Sequence, residues 1–134
     1  MSEIFVFGSN LAGRHGKGAA LTAKQVHGAI QGVGAGFQGR SYAIPTKGYT
    51  LKSLSLIAIE ANVNDFIAYA ELHSYMTFKL TPIGCGLAGY TPEQIAPLFA
   101  QAPSNVLLPE VFSRIIRPQE RPERWSFTRQ ETNP

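Results

Sequence analysis

Cysteine is almost missing from this chain: Cys85 is the single one in 134 residues, so no internal disulfide can form. Three histidines scattered along the sequence and no paired cysteines leave no metal-ligand spacing, and no metal or other cofactor is expected. Aspartate is equally scarce. Asp65 is the sole example and lies outside every glycine-rich segment. No apolar run approaches the roughly 18 residues that cross a bilayer, which argues against a membrane partner. The N-terminus shows no basic region leading into an apolar stretch and a small-residue cleavage site. With the lone cysteine, that reads as a cytoplasmic protein. Charge is sparse too, at 16% of residues. Residues 1–113 carry seven Lys or Arg against six Asp or Glu, and residues 114–134 carry five Arg against three Glu. A nearly neutral body offers no clustered basic face, so nucleic acid is not an expected partner.

What is present is glycine, at 13 positions, together with 44% hydrophobic residues, enough for one core in one domain. Ile4-Phe5-Val6-Phe7 is wholly apolar and reads as a buried central strand. Helical character begins near Gly18, with Leu21, Val26 and Ile30 expected on its inner face and an end by Gly32. Gly34 to Gly39 reads as irregular. Ser41 to Pro45 is a second strand, and a connecting helix is expected to end near Tyr75. Thr77 to Ile83 is a third strand and Asn105 to Pro109 a fourth. Between them, Thr91-Pro92-Glu93-Gln94 is a helix start, with a capping threonine, proline at the first helical position and glutamine three residues after the cap. Short apolar strands joined by long crossovers predict an α/β fold, a mainly parallel central sheet covered by helices. The domain is expected over residues 1–116. Residues 117–134 read as an Arg-, Pro- and Glu-rich tail with isolated Trp125 and Phe127, a candidate contact for a protein partner.

Two glycine turns follow two of these strands. The first runs from Gly8 through Asn10 and Gly13 to Gly16-Lys17-Gly18-Ala19-Ala20. The second is Gly84-Cys85-Gly86-Leu87-Ala88-Gly89-Tyr90. At the same ends of neighbouring parallel strands they would form one cleft. Exposed N–H groups at the mouth of the first helix favour an anion, and Arg14, His15 and Lys17 add positive charge. Successive N–H groups of the second turn form a candidate anion nest. Neither turn is a P-loop, since no hydroxyl residue follows Gly16-Lys17, and neither has the glycine order of a dinucleotide fingerprint. Asn10 either orients a ligand group or closes an Asx-turn. Tyr90 either stacks on a ring or caps the core. The Cys85 thiol reads as packed, with no partnered base beside it.

These segments resemble the macrodomain superfamily of ADP-ribose-binding α/β/α modules, and in particular a short macro-like group of bacteria and phages. The resemblance rests on Phe5-Val6-Phe7-Gly8-Ser9-Asn10, Gly16-Lys17-Gly18-Ala19-Ala20, Tyr42-Ala43-Ile44-Pro45 and, most specifically, Thr81-Pro82-Ile83-Gly84-Cys85-Gly86-Leu87-Ala88-Gly89-Tyr90. It covers roughly residues 4–109 and implies a three-layer α/β/α macro-like domain. It further implies that Asn10 and Gly16 to Ala20 flank a distal ribose while Gly84 to Tyr90 hold a diphosphate. Some members remove ADP-ribose or a phosphate with a lysine in the first helix and an aspartate after Gly-Leu. Lys24 is the loose match to that lysine, and Ala88 stands at the aspartate position. Two functions follow: binding of ADP-ribose or a related nucleotide phosphate, with or without hydrolysis, and a non-catalytic metabolite-sensing or protein-interaction module.

Overall fold

The computed structural model describes residues 3–118. It is a three-layer α/β/α arrangement around a five-stranded sheet of order β2-β3-β1-β4-β5. The strands are β1 (Glu3–Asn10), β2 (Gly36–Gln38), β3 (Ser41–Lys47), β4 (Thr77–Leu80) and β5 (Val106–Leu107). All neighbouring pairs are parallel except β2 with β3. The four α-helices are α1 (Gly18–Val26), α2 (Leu56–Leu72), α3 (Pro92–Ile95) and α4 (Glu110–Ile116).

Strand periodicity divides the core. Ile4 and Val6 of β1 point to one face with Tyr42, Ile44, Phe78 and Leu80, where α2 supplies Ile59, Val63, Phe66 and Ala70. Phe7 points to the other face with Ala43, against Ala20 and Ala23 of α1. The first helix therefore docks through alanines. Val26 is 60% exposed and Ile30 51% exposed, contrary to the expected apolar inner face. The small side chains bring α1 close to the sheet, and the helix stops at Val26, before the expected limit at Gly32. α2 starts on Ser55, whose hydroxyl accepts from the Ala58 N–H. It ends at Leu72, three residues short of Tyr75.

Thr91 and Gln94 form the anticipated capping box at α3. The α-helix then yields at Ala96 to a 3₁₀ turn, Ala96–Phe99. Pro97 explains the change: it has no N–H to give, and its ring would crowd the carbonyl of Glu93. Strand β2 and helix α4 were not anticipated. β2 lies in the glycine-rich segment, where pairing with β3 outweighs its weak strand propensity. α4 follows Pro109 directly and anchors itself by burying Phe112 against Phe99, ring centroids 5.9 Å apart. Trp125, Phe127 and the rest of the tail from residue 119 lie outside the described residues. Among the described residues, no helix is long and apolar enough to cross a membrane.

Candidate functional site

β1 and β4 are adjacent and parallel, so the two glycine turns emerge side by side at the carboxyl ends of their strands. The chain leaves β1 toward β3 on one side and leaves β4 toward β5 on the other. Such a reversal opens a crevice beyond the strand ends. A cavity of about 500 Å³ occupies it, within the range of small-molecule sites.

β1 is longer than the apolar run implied. Gly8, Ser9 and Asn10 remain paired with β3, so the turn proper starts at Leu11. Asn10 braces that turn: its side chain donates to the Arg14 carbonyl and accepts from the Arg14 N–H, both at 2.9 Å. The turn is then laced to the segment after α1. Gly32 donates to the Gly13 carbonyl at 2.8 Å, Ser9 Oγ donates to the Gly34 carbonyl, and the His15 N–H donates to Gln31 Oε1. Gly13 has φ +72°, and a Cβ there would lie 2.3 Å from the Gly32 carbonyl carbon, so no other residue fits.

His15 turns inward. It is fully buried, with Nε2 3.0 Å from the Val33 carbonyl and its ring edge-on to Phe7. A carbonyl only accepts, so Nε2 donates to Val33, which also accepts from Gln38 Nε2, while buried Nδ1 has no hydrogen-bond partner among the described residues. His15 is a wedge beneath the loop and does not line the cavity. Exposed Lys24 on α1 does not line it either.

The cavity does gather Gly8, Asn10, Gly16, Lys17, Gly18, Ala19 and Ala20 from the first turn, and Gly84, Gly86, Leu87 and Ala88 from the second. Lys17 is the N-cap of α1 but caps nothing with its side chain, and no acidic residue occupies the first turn. The opening N–H groups of α1 thus keep their hydrogen-bonding capacity at the cavity wall. A Cβ built on Gly16 or Gly86 would meet nothing within 4 Å. Both backbones stand open to the cavity, close enough for a ligand to approach the main chain.

Cys85, Gly89 and Tyr90 are not brought to the cavity. The Tyr90 phenol turns back to donate to the Leu54 carbonyl at 2.6 Å. The Cys85 side chain packs on the core, and burial, then the Glu93 charge, push its thiol pKa up. It stays protonated and is a poor nucleophile.

A third wall comes from the end of β3, through Thr46, Lys47 and Leu51. Ser9 pairs with Pro45 but Asn10 pairs with Lys47, so Thr46 is an extra residue in a bulge. Pro45 has no N–H for the ladder, and a bulge accommodates it. In a regular strand Thr46 and Lys47 would point to opposite faces. The bulge is what allows both to line the cavity. An X-Pro-Thr-Lys sequence ending a strand was the available signal for this wall. Ser9, Thr81, Pro82 and Ile83 complete the floor between the two turns, and Arg14 joins the rim.

Arg14, Lys17 and Lys47 thus face one cavity, and among the described residues no carboxylate lines it. Glu110 with Arg114 is the ion pair formed among the described residues, so none of the three cavity cations is neutralised there. Among the described residues no cluster of three His, Cys, Asp or Glu exists that would hold a metal. The arrangement suits an anion held by main-chain N–H groups and unpaired cations. Among the described residues its lining includes no histidine, aspartate or glutamate for general-base chemistry.

No family model, curated protein or solved structure matches this chain.

Proposed function

We propose that this cavity binds ADP-ribose or a related nucleotide phosphate, in the manner of the macrodomains its loops resemble. One observation carries the reading: among the described residues, three cations without an ion-pair partner and the uncapped start of α1 line a cavity to which no carboxylate contributes. Cationic side chains and oriented N–H groups with no competing anion favour phosphate oxygens. The open backbones of Gly16 and Gly86 supply the close approach that a diphosphate needs.

The same inventory favours binding or sensing over hydrolysis. Ala88 stands where an acidic residue would act, His15 is sealed beneath the loop, and Cys85 faces the core. Hydrolysis at this site would rest on oriented backbone donors and the cavity cations.

Calorimetric titration of the full chain with ADP-ribose, AMP and ribose 5-phosphate tests the proposal. One site per chain, weakening as salt rises, is the expected result. No heat from any of the three at millimolar concentration overturns it.

A further inference from the structure

The cavity lining combines cations with two large aliphatic side chains. Its cations come from the turn between β1 and α1 and from the bulged end of β3. Its apolar rim comes from two leucines on the flanking loops, Leu51 after β3 and Leu87 after β4. Leu87 is 66% exposed and Leu51 37% exposed, although nearby Ile83 and Leu80 are buried. Large aliphatic side chains left open at the rim of a polar cavity are surface that a ligand can cover.

Leu51 is held there against its own preference. It has φ +67° and is the one non-glycine residue with positive φ among the described residues. A bulky side chain disfavours that region. The turn that imposes it is closed by the Gly48 N–H donating to Lys52 at 2.8 Å and the Leu51 N–H donating to Gly48 at 3.1 Å. Glycine would fit this position without strain, yet leucine occupies it.

The two loops form one rim. Ser53 Oγ donates to the Ala88 carbonyl at 2.6 Å, and Tyr90 donates to Leu54. These bonds tie the loop after β3 to the loop after β4 although β1 lies between the two strands. The first turn leads away to α1 on the opposite face and leaves the flanking loops free to meet. The loops that carry Leu51 and Leu87 are thereby joined.

We infer that Leu51 and Leu87 are the specificity-determining residues of this site. They select phosphate-bearing ligands that also carry a flat apolar ring, and discriminate against bare sugar phosphates. The inference rests on the anion-binding reading above and adds the second half of the ligand. The phosphate meets Arg14, Lys17 and Lys47, and the ring covers the leucine rim.

AMP and ribose 5-phosphate share the phosphoribose and differ in the base, so titrating the full chain with both isolates the rim. AMP is expected to bind at least about tenfold more tightly, because a ring covering both leucines removes on the order of 100 Å² of apolar surface from water. Leu51→Gly and Leu87→Ser should each weaken AMP by about fivefold and leave ribose 5-phosphate unchanged. Leu51→Gly also relieves the backbone, so its thermal unfolding midpoint should equal or exceed the parent's, which separates a lost contact from a lost fold. Equal affinity for the two ligands, or equal weakening of both by the leucine variants, overturns the inference and leaves anion binding standing. Binding of ADP-ribose without any binding of AMP overturns the inference alone, and failure of ADP-ribose, AMP and ribose 5-phosphate all to bind the parent protein overturns both.

Discussion

The Tyr90 phenol and the Leu54 carbonyl are joined by a 2.6 Å hydrogen bond that spans two loops 36 residues apart in sequence. This bond places Tyr90 in the scaffold of the cleft rather than among the groups that line it. Tyr90→Phe keeps the ring and its packing against the core and removes the donor. The Leu54 carbonyl then loses a partner at a half-buried site, for a cost of about 1 kcal/mol. Denaturant unfolding should show that loss, and amide exchange should accelerate across residues 84–90 in the same variant.

Glycines of the two turns differ in what they do. Gly86 opens on the cavity, so Gly86→Glu should unfold near the parent temperature yet lose ligand, because a carboxylate would occupy the proposed anion position. Unchanged ADP-ribose affinity in this variant would rule the position out. Gly13→Ala should behave in the opposite way. Its methyl group would collide with the Gly32 backbone, at a cost of about 3 kcal/mol or more in chemical denaturation.

Lys47 reaches the cavity through the bulge at Thr46 and has no ion-pair partner among the described residues. Lys47→Gln keeps length and polarity and deletes the charge. Affinity for ADP-ribose should fall about tenfold, the size of one charge-assisted contact. The salt dependence of binding should become shallower as well. A tenfold loss with an unchanged salt dependence would show that Lys47 acts through shape rather than charge.

Tyr42 sets an alkaline limit on stability. Burial, then the Asp65 and Tyr69 charges, raise its phenol from 10.0 to about 12. Above pH 10 the unfolded chain gives up this proton while the folded chain keeps it. Stability is therefore unaffected below pH 10 and falls as pH rises toward 12, by about 2–3 kcal/mol from this group. Tyr42→Phe keeps the edge-on contact with Phe66 and should flatten much of that slope in pH-dependent denaturation. What slope persists belongs in part to Tyr69, whose phenol burial also raises.

Local sequence determined the parts of this protein that depend on near neighbours along the chain. The apolar run at β1, the Thr91–Gln94 capping box and the two glycine turns were legible because side-chain periodicity, caps and turn residues act over a few positions. The α/β class followed from the spacing of those parts. Tertiary structure decided the rest, because it depends on which strands lie side by side. Alanines rather than Leu21, Val26 and Ile30 carry α1 against the sheet, since close approach rewards small side chains there. Pairing with β3 kept Gly8 to Asn10 in a strand that local propensity would have ended. A register shift at Pro45 turned Thr46 and Lys47 together into the cleft and gave it a third wall. Sequence alone supplied two glycine turns with a suggestion of an anion. The fold determined which of their residues face the cavity, turned Cys85 and Tyr90 away from it, and left Arg14, Lys17 and Lys47 around it with no carboxylate among the described residues to neutralise them.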